Sequence, residues 1–153
     1  MAALEARVAT YDAQLAHVAQ THPVCQRRLT IAGLGELTAT ALVAAVSDAA
    51  QCKNGRQFAA WLGRVLRQQS TGGKPRLLGI SKHGDSYLRK LLVHGTRSCL
   101  RWVGRKCDRR SQWLRSLMER RGWNRAAVAL ANKNARVAWV LMHTDQSYQE
   151  AAA

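Results

Sequence analysis

Leu29-Thr30-Ile31-Ala32-Gly33-Leu34-Gly35-Glu36-Leu37-Thr38-Ala39-Thr40-Ala41 is the stretch on which the fold turns. An apolar-x-Gly-apolar-Gly corner leads into a helix-forming run that continues to Ala50. The two glycines permit a tight turn between helices, so the stretch predicts a helix-hairpin-helix-like element. The turn is open to two readings. It is either a packed corner or a set of outward amides ahead of a helix N-terminus, with Thr38 or Glu36 serving the first turn. The second geometry suits a phosphate.

Helical periodicity recurs on both sides of this corner. Leu4, Val8, Tyr11, Leu15 and Val18 follow a 4-3-4-3 spacing that His22 and Cys25 continue, which makes an apolar seam along one helix. The seam spans fewer than four heptads. It suits either a short coiled coil with a second helix or subunit, or packing on its own domain. Pro23 ends it. Asn54-Gly55 is a turn signal ahead of Phe58, Ala59, Trp61, Leu62 and Val65, a short apolar face. Asp85 is placed to cap a helix, with Tyr87, Leu88, Leu91, Leu92, Gly95, Cys99 and Trp102 expected on one face. Trp113, Leu114, Leu117 and Met118 mark a further helix, and Asn124 is expected to cap a last one through Leu141. From 67 to 82, Gly72, Gly73, Pro75 and Gly79 exclude a helix interior and read as a loop.

No strand-like alternation of any length appears, and the chain is predicted to be all-α. A connecting, coiled-coil-like helix is expected over 1–24, a helical domain over 25–143, and a polar, disordered tail over 144–153. Five tryptophans accompany a single Phe and are expected to anchor the core. Stacking on bases is the alternative for Trp123, beside Arg120, Arg121 and Arg125.

Charge narrows the function. The 153 residues carry a formal net charge of +15. Residues 61–125 hold seventeen of the 24 Lys and Arg and three of the nine Asp and Glu, hence +14 of that total. A surface this basic calls for a polyanion, nucleic acid foremost. No apolar run approaches bilayer length, and the first residues lack the basic-then-apolar pattern of a secretory signal. A cytoplasmic location is expected, with no membrane partner. Cys25, Cys52, Cys99 and Cys107 include no C-x-x-C pair, so no metal site is expected and the thiols read as small buried hydrophobes or inert groups.

The chemistry-bearing segment is Gln68-Gln69-Ser70-Thr71-Gly72-Gly73-Lys74. Two alcohols sit beside two glycines, with Arg67, Lys74 and Arg76 close by. A serine there can attack a phosphodiester and store the bond energy in a phosphoserine link, while the cations hold the phosphate and stabilise its transition-state charge. The bland alternative is an ordinary turn on a solvated basic face. The nine acids are scattered, with only Asp85 near this segment. The segment lacks the first glycine and the Lys-Ser/Thr ending of a P-loop.

Five ordered motifs then resemble one domain: IAGLGELTATALVA at 31–44, FAAWLG at 58–63, RQQSTGGK at 67–74, GISKHGD at 79–85 and YLRKLLV at 87–93. ANKNARVAW at 131–139 fits the same pattern. Together they resemble the C-terminal, serine-bearing domain of transposases of insertion sequence family 110, closest to its 1111 subgroup, across roughly residues 25–143. The resemblance implies a helical domain joined through a coiled coil to a RuvC-like domain whose Asp and Glu residues hold Mg2+. It also implies a serine nucleophile, DNA as substrate and a structured guide RNA. The family serine usually precedes a glycine directly. Here Thr71 has that place, and because the subgroup commonly shows this doublet, Ser70 is the first candidate and Thr71 the alternative. Leu66 replaces the family's Pro.

Candidate DNA or phosphate contacts are Gly33, Gly35, Arg67, Gly72, Gly73, Lys74, Arg76, Lys82, Arg89 and Lys90. The RuvC-like half is expected upstream of residue 1. The isolated chain is expected to form a homo-oligomer through its first helix and to bind DNA or RNA without cutting it. A non-catalytic basic helical DNA/RNA-binding module is the competing expectation.

Overall fold

The computed structural model describes residues 1–45, 52–63, 66–71, 74–81, 83–144 and 146–149, with the backbone alone for 66–71 and 74–78. Seven α-helices and one β-hairpin make up the described residues: α1 (Ala2–Thr21), α2 (Pro23–Leu29), α3 (Glu36–Ala44), α4 (Gly55–Trp61), β1 (Leu66–Thr71), β2 (Lys74–Ile80), α5 (Ser86–Trp102), α6 (Arg109–Arg121) and α7 (Trp123–His143). A 3-10 turn at Val103–Arg105 links α5 to α6. The helical class expected from sequence holds. The span expected as a loop is instead a two-stranded antiparallel ribbon.

The long α7 is the spine. Ala127, Leu130, Ala131, Asn134, Ala135, Ala138 and Leu141 are buried along it at helical spacing. The alanines give this face a flat profile, so neighbouring backbones come close. Gly55 lies so near that a Cβ there would meet the Arg136 carbonyl oxygen at 3.0 Å. One apolar cluster gathers Ile31, Leu42, Phe58, Leu62, Leu88 and Leu92 on the C-terminal half of this spine. A second gathers Leu100, Val103 and Leu114 on its N-terminal half.

Acidic and amide side chains start the helices. Asn54 accepts from the amides of Arg56 and Gln57, each at 3.0 Å. Asp85 accepts from Tyr87 and Leu88 at 2.7 and 3.0 Å. Asp108 accepts from the Ser111 amide at 2.9 Å and its hydroxyl at 2.7 Å. The hydroxyl bond is the main cause holding the Asp108 carboxyl below its usual range. Asn124 is no cap. Gly122, at φ +82°, both closes α6 and opens α7, so the corner is shorter than expected, and the Asn124 side-chain oxygen accepts from Arg97 instead, at 3.1 Å.

The face of α5 is also rotated from its expected position. The buried stripe is Leu88, Leu92, Thr96 and Leu100. The Thr96 hydroxyl lies 3.1 Å from the Ala127 carbonyl, which draws a polar residue into the seam with α7. Tyr87 and Trp102 are left outside. Along α1, Leu4, Val8, Tyr11 and Val18 are exposed and only Ala19 is buried, so the seam of the first helix is not spent on the chain's own domain. At the other end, the Tyr148 amide donates to the Thr30 hydroxyl at 3.1 Å and its ring packs against the larger cluster.

Arg28 on α2 is fully buried, and among the described residues none of its guanidinium nitrogens has a hydrogen-bond partner. Burial, with a smaller contribution from Arg27, pulls its pKa down to about 10, against the opposing influence of Cys25. The folded state therefore disfavours the charged form at every pH below about 10, and the penalty is relieved only above that value. An unpaired buried charge costs more than an apolar group of similar volume. Arg28→Met is expected to stabilise the fold by about 1–3 kcal/mol, with a gain that does not change between about pH 5 and 8. Urea unfolding at three pH values checks this, and a destabilised variant would contradict it.

Candidate nucleic-acid interface

The alcohol-bearing segment forms the distal part of the hairpin. Along its ladder Gln69 pairs with Arg76, Ser70 with Pro75 and Thr71 with Lys74. Successive ladder positions alternate between the two faces of a ribbon. Thr71, Lys74, Gln69 and Arg76 therefore share one parity, and Ser70 and Pro75 the other. Pro75 lacks an amide donor and is tolerated because a two-stranded ribbon is all edge. Between Leu66 and Gln68 the register shifts by one, so that Arg67 opposes both Leu78 and Gly79, a bulge that bends the ribbon near its root. Gly72, Gly73 and Lys82, named as candidate contacts, lie outside the described residues.

Gly63 and Gly84, which stand in two of the quoted motifs but were not among the candidate contacts, build that root. Gly63 has φ +69°, and a Cβ on it would stand 2.0 Å from the His83 carbonyl oxygen. Gly84 has φ +91°, and a Cβ on it would stand 1.7 Å from the Trp61 carbonyl oxygen. The incoming and outgoing strands thus cross at backbone-to-backbone distance, which only a residue without a side chain permits. Arg89, a candidate phosphate ligand, belongs to this crossing: its Nη1 lies 3.4 Å from the Leu62 carbonyl oxygen. Lys90 is exposed.

The other glycine pair divides in two. Gly33, at φ +94°, faces inward, where a Cβ would meet Cys99 Sγ at 3.0 Å and Asn134 Nδ2 at 3.3 Å. The Ala32 carbonyl beside it accepts from Arg110 Nη2 and from Asn134 Nδ2, both at 3.0 Å. Gly35 is exposed, caps α3 in an extended conformation, and would have no neighbour within 4 Å of an added Cβ. The corner is thus packed at Gly33 and open at Gly35, so the two readings left by the sequence apply to one glycine each.

The tryptophans depart most from expectation. Trp102, Trp113 and Trp123 are 53%, 37% and 37% exposed. Each carries a cation over its ring: Arg105 at 4.6 Å, Lys133 at 5.3 Å and Arg97 at 5.8 Å. Core positions on these helices are taken by Leu and Ala, which leaves the indoles on outer faces where cation–π contact stabilises them. The spacing of Trp102 and Arg105, one helical turn apart, is a signal that was readable in the sequence. The pairs joining α5 to α7 and α6 to α7 were not. Cys25 and Cys52 are buried, with burial pushing both thiols up, while Cys99 is half-buried and Cys107 exposed. No described helix is long and apolar enough to cross a membrane.

Residues 25–112 match the Transposase IS116/IS110/IS902 family. Among curated proteins, the chain is 51% identical over 147 residues to the Pseudomonas aeruginosa protein named "Probable family 20 transposase", which covers 95% of this chain and 43% of that protein. It is 48% identical over 142 residues to the Coxiella burnetii protein named "Transposase for insertion sequence element IS1111A", covering 93% of this chain and 39% of that one. The chain spans about two-fifths of the length of these relatives.

The hairpin root gives a direct check. Gly84→Ala forces both a left-handed backbone and a clash with backbone, and is expected to cost about 2–4 kcal/mol in urea unfolding. Gly79→Ala, which has nothing within 4 Å, is expected to change stability by less than about 0.5 kcal/mol. Equal effects of the two substitutions would contradict the crossing.

Proposed function

The chain belongs to the IS116/IS110/IS902 transposase family, and from that premise we propose that it is the serine-bearing helical part of a DNA transposase, with Ser70 as the nucleophile and Thr71 as the alternative. The observation that carries this reading is a family match that spans the hairpin, on a chain of net charge +15. In the proposed step, the Ser70 hydroxyl oxygen forms a bond to the phosphorus of a phosphodiester. The bond from phosphorus to one sugar oxygen breaks, and the proton goes to that leaving oxygen. The phosphoserine link keeps the ester energy for rejoining. Arg67, Lys74 and Arg76 are proposed to hold the phosphate oxygens, and Gly35 at the open N-terminus of α3 to meet a neighbouring phosphate.

The family resemblance implies Mg2+ held by carboxylates. Among the described residues no group of three or more His, Cys, Asp or Glu is placed to hold a metal. This part of the chain does not fit the ion, and no step is routed through it here. The carboxylates are proposed to belong to a RuvC-like domain in the region of the relatives that this chain does not cover. A structured guide RNA is proposed as a second nucleic-acid partner. A non-catalytic DNA/RNA-binding module remains the second reading, favoured by the three tryptophan–cation pairs, which stand on helices away from the hairpin.

One experiment separates the two. The chain alone is expected to bind duplex DNA with an affinity that falls steeply with salt, since each neutralised phosphate releases counterions. Supplied with the carboxylate-bearing domain, it is expected to yield a protein–DNA adduct stable to denaturing electrophoresis. Ser70→Ala should remove that adduct without weakening binding. Loss with Thr71→Ala alone would move the nucleophile by one residue. Binding without any adduct would leave the module reading, and salt-independent binding would contradict both.

The exposed seam of α1 is proposed to pair with a second copy of the chain. Val8→Glu with Tyr11→Glu is expected to halve the sedimenting mass of the chain while its helical circular dichroism is kept. An unchanged mass would contradict this pairing.

A further inference from the structure

The exposed Trp102 also lines a cavity. The space, about 300 Å³, is enclosed by the end of α5, the 3-10 turn, the start of α6 and the corner at Ala32. Trp102 supplies an aromatic wall, Val103 and Leu114 an apolar floor, and Lys106, Arg110 and Ser111 the polar margin. Its size is at the low end of the roughly 300–1,000 Å³ typical of small-ligand sites. Arg110 is held in place by its bond to the Ala32 carbonyl, and Arg105 lies over the Trp102 ring.

The chemistry around the cavity selects the ligand. Residues 101–110 contain five Lys or Arg and a single acid, Asp108. That carboxylate accepts from the amide and hydroxyl of Ser111, and five cations against one carboxylate leave a cationic excess around the mouth. A flat apolar interior behind a cationic mouth fits a heteroaromatic ring flanked by anions. An uncharged aromatic molecule would leave the cations without a role, and a bare phosphate would leave the indole without one.

We infer that this cavity receives one unpaired base of a nucleic-acid strand, stacked on Trp102, with the flanking phosphates met by Arg105 and Lys106. The inference rests on the nucleic-acid reading of the chain and adds a preference for bases that have left the duplex. It also makes Trp102 a binding residue at a distance from the hairpin along the chain. Stacking of a base on an aromatic side chain tolerates any sequence, so the site would read strand opening and not base identity.

The test uses the full chain and oligonucleotides carrying 2-aminopurine as a single-nucleotide bulge, in DNA and RNA versions, beside fully paired controls. Wild-type protein is expected to prefer the bulged strand and to quench the 2-aminopurine fluorescence. Trp102→Ala should lower affinity for the bulged strand by about tenfold, the scale of losing one stacked base, with affinity for the paired control within about twofold. Trp102→Phe should restore most of the preference. The arm in which quenching occurs identifies the strand as DNA or RNA. If Trp102→Ala keeps the preference, or weakens paired and bulged binding equally, the base site is overturned while the nucleic-acid reading stands. If no oligonucleotide binds, that reading falls and the base site falls with it.

Discussion

The fold depends on one corner being driven into three helices at once. At Gly33 and Gly95 two backbones meet so closely that a Cβ on Gly95 would stand 2.0 Å from the Gly33 carbonyl oxygen. The neighbouring Ala32 carbonyl is half-buried and accepts from α6 through Arg110 and from α7 through Asn134. A buried carbonyl left unpaired would cost roughly 1–3 kcal/mol. Both donors come from far along the chain, so the corner is satisfied only when α5, α6 and α7 have assembled around it. Gly33, the glycine in α5 and the asparagine in α7 thus act as one device.

The same economy governs charge. Of the three acids among residues 61–125, Asp85 and Asp108 are consumed as helix caps. Each accepts backbone amides at a helix start. Among the described residues of the segment Lys90, Arg101, Arg105, Lys106, Arg109, Arg120, Arg121 and Arg125 are exposed, with Glu119 as the exposed acid, while Arg110 is buried. Cap and surface are one design: acids placed where helix geometry needs them do not neutralise the face that a polyanion would meet. Arg28 runs against this pattern, since it is a cation placed where no anion among the described residues reaches it.

Much of this was legible in sequence, and the failures have physical causes. Asp85 as a cap, Pro23 as a break and the 4-3-4-3 seam follow from local chemistry, which a sequence carries directly. Gly33 and Gly35 could be recognised as a corner. Which of them faces inward could not, because that depends on Gly95 and Asn134, sixty and a hundred positions away. The hairpin was missed because Arg67, Gln68, Gln69, Ser70 and Thr71 show no apolar alternation. Without that alternation the Gly72-Gly73 pair was the available hairpin signal. Tryptophan was expected inside on average burial. On these helices Leu and Ala already fill the inner face, so three indoles stay outside under cations.

The root of the hairpin bears on how the candidate site is to be understood. A lone two-stranded ribbon is marginal in water, and this one has no third strand among the described residues. Its order must come from where it joins the body, and there the Gly63 and Gly84 crossing leaves no slack. Arg89 adds a side-chain tie to the Leu62 carbonyl at the same point. That places Arg89 in a different role from Lys74 and Arg76: it positions the ribbon from below, and a guanidinium committed to a carbonyl has fewer donors left for a phosphate. Substituting Arg89 should therefore disturb the hairpin first. A serine at the end of such a ribbon is only as well aimed as the glycine crossing beneath it.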